Sequence, residues 1–114
     1  MDFNNIYSIV DLEDAKTIHT AAIFYFSGQD CNVCKVLKPK LKFMLEESFP
    51  EFRLFYIDVE KSPLIAGQMR IFSIPTILIY FEGKEFYRVS RNISPDELGK
   101  TIKRPYEMLF NPVW

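Results

Sequence analysis

Cys31 and Cys34 are the two cysteines of this 114-residue chain. They pair with each other, bind something together or stay reduced. The stretch that holds them, Gly28-Gln-Asp-Cys-Asn-Val-Cys-Lys35, joins the apolar run from Ala21 to Phe26 to a long pattern of helical spacing. A Cys-x-x-Cys at such a junction is a redox motif. If the helix begins at Cys31, its unpaired N–H groups and its dipole point at that sulfur and favour the thiolate, which makes Cys31 the nucleophile. Cys34 then lies one turn further in on the same face, close enough to attack a mixed disulfide on Cys31, and is the resolving thiol.

The neighbours pull in opposite directions. Lys35 follows Cys31 at i+4 and helical side chains lean toward the N-terminus, so its ammonium could assist the thiolate. The plainer reading is a solvated lysine among Lys38, Lys40 and Lys42. Asp30, acting as a cap, would occupy the N–H groups that a thiolate needs, and its negative charge would raise the thiol pKa. A second constellation, Ser73-Ile74-Pro75-Thr76, leads into a buried strand. An ordinary trans proline at a strand start is the base-rate reading there, and a cis bond would form a tight, fixed loop.

The elements that position these residues follow from periodicity. Asp11 is placed to cap a short helix from Leu12 to Ile18. Ala21 to Phe26 is apolar at every position, as expected of an interior strand. Val33, Val36, Leu37, Leu41, Met44 and Leu45 recur at helical spacing to about Glu47, with Pro39 as a kink. Phe52 to Asp58 is a second strand, and the long crossover implies parallel, right-handed pairing. Ser62 and Pro63 start a short helix to Met69. Thr76 to Phe81 is another buried strand, turned by Glu82-Gly83-Lys84 into an edge strand from Glu85 to Ser90. Ser94-Pro95-Asp96-Glu97 opens a last helix that Pro105 stops or kinks near Arg104.

Fourteen basic residues against fifteen acidic ones, with 48% hydrophobic content, give no reason to expect a nucleic-acid or membrane-surface partner. The first residues show no secretory signal and no apolar run approaches the ~20 residues of a membrane span. The expectation is one domain over 1–114 in the cytoplasm, where a Cys-x-x-Cys more often means catalysis or metal than a structural disulfide.

Cys31-Asn32-Val33-Cys34-Lys35, Pro39, Ile57-Asp58, Ile74-Pro75-Thr76 and Phe81-Glu82-Gly83-Lys84 occur in the order and approximate spacing of thioredoxins. Over about residues 8 to 104 the chain resembles a thioredoxin-like protein, and 105–114 is a C-terminal extension. The resemblance implies an α/β fold, a three-layer α/β/α sandwich with a central mixed β-sheet. It further implies a cis bond before Pro75 and a proline packed against the Cys-x-x-Cys loop. Ile74 would offer backbone hydrogen bonds to an extended substrate, with Asn32 and Val33 beside it. Implied as well are thiol-disulfide exchange on disulfide-containing proteins, a thioredoxin-reductase-like electron donor, no cofactor, and a monomer or weak dimer.

The departures are specific. Asp30 stands where the family usually has Trp, and Asn32-Val33 where it has Gly-Pro. Tyr25 holds the position of a buried acid that accepts the resolving cysteine's proton, and Leu54 that of the accompanying lysine. Without the acid, resolution is expected to be slower or to rely on water, and the client range to be narrower. No histidine between the cysteines stabilises the reduced thiolate, which favours a reductase over an oxidant.

Rival readings have less support. A zinc site needs about four ligands, and two thiols with a distant His19, itself read as a surface or cap residue, do not make one within a monomer; a dimer sharing four thiolates, two from each chain, is the metal reading left open. A glutaredoxin would carry a glycine pair followed by acids where Glu82-Gly83-Lys84-Glu85 stands. The non-enzymatic alternative is an adaptor that docks a partner, on the strength of Tyr106, Met108, Leu109, Phe110 and Trp114. The reading preferred for those residues, and for Phe72, is core.

Overall fold

No residue from Ala21 to Ser27 is exposed, because this strand lies at the centre of a sheet with helices on both faces. The computed structural model describes residues 2–112. The elements are β1 (Asn4–Asn5), α1 (Ile9–Ile18), β2 (Ala21–Ser27), α2 (Asn32–Ser48), β3 (Arg53–Asp58), α3 (Pro63–Gln68), β4 (Thr76–Phe81), β5 (Lys84–Ser90) and α4 (Pro95–Phe110). The sheet order is β1-β3-β2-β4-β5. β3 runs parallel to both β1 and β2, whereas β4 is antiparallel to β2 and β5, so the sheet is mixed. The expected crossover and its parallel pairing are present.

Alternation along β2 divides the core. Ile23 and Tyr25 face α2 and α4 together with Leu37, Leu41, Leu45, Leu98 and Ile102. Ala22, Phe24 and Phe26 face α1 and α3 with Leu12, Ala15, Ile65 and Met69. This is the three-layer α/β/α sandwich. Between β4 and β5, Glu82 and Gly83 both take positive φ, 51° and 81°. Two left-handed residues close a tight hairpin whose twist suits the flanking strands.

The structure moves several boundaries. Helix α1 begins at Ile9, and its cap is Ser8, whose hydroxyl accepts from the Asp11 N–H at 3.1 Å; Asp11 is therefore not the cap. Starting a turn earlier lets Ile9 join Leu12 and Ala15 on the buried face. Ser62 takes the N-cap position of α3 without a side-chain hydrogen bond. Strand β1, two asparagines with no periodicity, is missing from the sequence reading and exists only through its pairing with β3.

The largest correction is at α4. Pro105 neither stops the helix nor separates the tail: α4 continues to Phe110. Tyr106 is buried, its ring against Phe49, Phe52 and Phe110 at 5.0, 5.4 and 4.7 Å, and its hydroxyl accepts from the Glu51 N–H at 2.9 Å. Leu109 and Phe110 also pack on this core. The aromatic segment that motivated an adaptor is thus core out to Phe110, although Met108 is exposed; Trp114 lies outside the described residues. Tyr106→Ala is expected to lower unfolding stability by about 3–5 kcal/mol, while Met108→Ala changes it by less than about 0.5 kcal/mol; urea denaturation of the two variants checks this.

Candidate active site

Three loops meet at one end of the sheet. β2 runs out at Ser27, its partner β3 at Asp58, and antiparallel β4 begins there at Thr76, opposite Phe26. The Val59 N–H donates to the Ser27 carbonyl at 2.9 Å, and the Asp58 carboxylate accepts from the Glu60 and Lys61 N–H groups at 2.9 and 3.2 Å. These bonds hold the loop after β3 against the end of β2. Gly28 lies where the loops touch. A Cβ there would sit 3.0 Å from the Ile74 side chain and 3.4 Å from a Glu60 carboxylate oxygen. The Gly28 carbonyl in turn accepts from the Cys31 N–H at 3.3 Å. The proline loop is thereby linked to the cysteine loop through a residue that the motif reading missed; its one visible signal was a glycine just ahead of the first cysteine.

Cys31 and Cys34 are bonded to each other, with Cα atoms 5.2 Å apart. Cys31 is itself the N-cap of α2, and its Sγ accepts the Cys34 N–H at 3.2 Å. Asp30, expected to cap, is displaced from that role by one residue and is exposed. The sulfur therefore stands at the unpaired N–H groups and positive end of a 17-residue helix. Cys31 is partly accessible, whereas Cys34 is 1% exposed. Lys35 is exposed and its ammonium makes no ion pair among the described residues.

The Ile74–Pro75 peptide bond is cis. Pro75 is buried, and its carbonyl accepts from the Arg91 N–H at 2.9 Å. Thr76 fixes the loop from the other side, its hydroxyl donating to the Ser73 carbonyl at 2.6 Å. The Ile74 N–H and carbonyl take part in no hydrogen bond among the described residues. Asn32 and Val33 are exposed and line a groove of about 400 Å³ beside the cysteines, together with Val36, Lys40, Ile93 and Pro95. Neither Val36 nor Ile93 stood out in the sequence as a site residue. Asn32 and Val33 thus lie on the groove beside the bonded cysteines, and the Ile74 side chain reaches the cysteine loop at Gly28.

Behind the cysteines the interior is built of aromatic rings. Tyr25 is fully buried, and its hydroxyl donates to the Cys34 carbonyl at 2.7 Å. Burial, and then the adjacent Tyr56, push its pKa far above the ordinary tyrosine value, so the phenol stays protonated. Its ring stacks on Tyr56 at 6.1 Å and meets Phe3 edge-on at 5.7 Å, and the Lys38 ammonium lies 4.3 Å above the Tyr56 ring. The Lys38 ammonium thus meets this layer as a cation–π contact. His19 caps α1 from a half-buried position, and burial followed by Arg53 lowers its pKa. Among the described residues no three His, Cys, Asp or Glu side chains are grouped to hold a metal ion, and no helix is long and apolar enough to cross a membrane.

The thioredoxin family model matches residues 11–104. The chain belongs to the thioredoxin family. It is 33% identical to a thioredoxin of Chlamydia trachomatis over 69% of this chain and 76% of that one. It is 28% identical to the thioredoxin-like protein YdfQ of Bacillus subtilis over 94% and 95% of the two chains. Among solved structures, thioredoxin from Trypanosoma brucei brucei superposes with a TM-score of 0.83 at 19% identity, covering 93% of this chain and 92% of that one. Mitochondrial thioredoxin 3 of Saccharomyces cerevisiae, in its oxidized form, gives 0.79 at 22% identity over 89% and 93%. Membership in this family and the bonded Cys-x-x-Cys make the protein a thiol-disulfide oxidoreductase.

Tyr25→Phe removes a donor from a buried carbonyl and is expected to lower stability at neutral pH by about 1 kcal/mol. Because the unfolded phenol titrates near its ordinary value while the folded one holds its proton, wild-type stability falls as pH rises beyond about 10. Chemical denaturation across that range should show a shallower loss in the Phe variant.

Proposed function

We propose that the protein reduces disulfides in other polypeptides, with Cys31 opening the client and Cys34 resolving the intermediate. The observation that carries this reading is the Cys31 sulfur serving as the cap of α2 and accepting the Cys34 N–H. A thiolate in that place gains a hydrogen bond and the favourable end of the helix dipole. Its partial exposure lets a client sulfur approach, while the burial of Cys34 hides the second thiol from all but Cys31.

In the first step the Cys31 thiolate attacks one sulfur of the client disulfide. The client S–S bond breaks, a mixed disulfide forms, and the other client sulfur leaves as thiolate. Cys34 then loses its proton and attacks the Cys31 sulfur, forming the Cys31–Cys34 bond and releasing the second client sulfur. The client has gained two electrons and, once its thiolates are protonated, two protons; the protein has become the disulfide. Ile74 supports the binding part of this reading, since its free N–H and carbonyl can pair with an extended client segment. Asn32 and Val33 would meet the same segment from the groove side, and Pro75 holds the loop.

Tyr25 cannot take the Cys34 proton, because its hydroxyl is engaged as a donor and its pKa is raised. The proton passes to water. Asp30 opposes the Cys31 thiolate as a nearby anion, and Lys35 is left as a solvated cation. A reducing compartment such as the cytosol, with a thioredoxin-reductase-like donor, would return the disulfide to the dithiol.

Cys34→Ser is expected to accumulate a mixed disulfide with insulin as the probe, and Cys31→Ser to lose reduction altogether. Trapping through Cys34 in the Cys31→Ser variant would reverse the assignment. Tyr25→Phe should leave the single-turnover resolution rate nearly unchanged, whereas a loss approaching about 100-fold would make the phenol a proton acceptor.

A further inference from the structure

Phe72 is 92% exposed, more than any other large apolar side chain among the described residues. An apolar residue between α3 and β4 is expected in the core, and the backbone explains why Phe72 is not there. Just past the C-cap of α3, Met69, Arg70 takes the left-handed region at φ 57°. The Arg70 N–H donates to the Gly67 carbonyl at 3.1 Å and the Ile71 N–H to the Ala66 carbonyl at 2.9 Å. This pair of bonds is a Schellman motif, in which the residue after the left-handed one turns its side chain back onto the helix. Ile71 accordingly packs on the core beneath α3, and Phe72 follows it outward.

The segment is held at both ends. The Arg88 guanidinium donates to the Arg70 carbonyl at 3.0 Å, and the Thr76 hydroxyl ties down Ser73. Phe72 is thus displayed on a fixed loop. Two residues span at most about 7 Å, so its Cα lies within that distance of the Cα of Ile74, whose backbone is unpaired and whose side chain rests on the cysteine loop. An extended polypeptide that pairs with the Ile74 backbone comes within reach of the exposed Phe72 ring.

We propose that Phe72 is a specificity-determining anchor, which selects clients carrying an apolar or aromatic side chain close to the half-cystine that Cys31 attacks. The inference rests on the reductase reading above and adds the client's chemistry to it. An exposed aromatic ring has only two side-chain torsions to order and gains most of its contact area on binding, which is the behaviour of an interface hot spot. The groove of Val33, Val36 and Ile93 offers a second apolar surface beside the disulfide. Asp30, next to Cys31, offers only charge. The occupant is the client's own extended segment, because the same segment must satisfy Ile74 and present its sulfur.

The test is single-turnover reduction by the pre-reduced full chain of three probes. Two are disulfide-cyclised peptides that differ only in having phenylalanine or serine two residues before one half-cystine. The third is the small disulfide 5,5′-dithiobis(2-nitrobenzoate). Wild type should favour the phenylalanine peptide by about tenfold in second-order rate. Phe72→Ala should abolish that preference, Phe72→Leu should restore part of it, and the small disulfide should react equally with all three proteins. A preference that survives Phe72→Ala, or an equal slowing on all three probes, overturns the anchor while leaving the reductase reading intact. So does a Phe72→Ala variant that changes only the oligomeric state. Wild type that reduces none of the probes defeats the reductase reading itself, and the anchor with it.

Discussion

One hydrogen bond makes the helix cap and the redox centre the same atom. The Cys34 N–H points at the Cys31 sulfur, so the start of α2 cannot be drawn without placing the first cysteine at the helix's positive end. Everything else serves to put that end in one place. β2 is buried on both faces and cannot shift without dragging Phe24 and Tyr25 out of opposite cores. Its last residue, Ser27, is tied to Val59 and so to β3. Gly28 then lets Ile74 come close enough to join the third loop to the first.

The interior behind this centre has a different chemistry from the exposed end. A fully buried tyrosine donates to the Cys34 carbonyl, its ring shared between Tyr56 and Phe3. Among the described residues no buried side-chain nitrogen or oxygen lacks a partner. A buried carboxylate would face a desolvation penalty there and could titrate; the phenol is satisfied and does not. The arrangement fixes the Cys34 backbone with a hydrogen-bond donor where a carboxylate would have offered a base.

Much of this was legible in the sequence because it depends on periodicity or on ordered motifs. The run at 21–26 could only be an interior strand, and the cysteines, Pro75 and the hairpin at Glu82-Gly83 have fixed positions in one family. What was not legible depends on tertiary competition. Pro105 should end a helix, but the burial of Tyr106, Leu109 and Phe110 outweighs the lost hydrogen bond of about 3 kcal/mol or more. Ser8 and Asp11 are both good caps, and the choice was made by the core's need for Ile9. Ile71 and Phe72 are adjacent and both apolar; the left-handed turn at Arg70 decides which one faces in. At the site, the shift of the cap from Asp30 to Cys31 is a single residue, finer than any periodicity can resolve.

The claim that the helix terminus activates Cys31 is tested most directly by the pH dependence of alkylation in the reduced protein, with each cysteine followed separately by mass spectrometry. The account predicts that Cys31 reacts with a midpoint below the ordinary thiol value of about 8.5, and that Cys34 stays unreactive across the same range. Equal reactivity at the two positions, or a Cys31 midpoint at or above that of a free thiol, would contradict it.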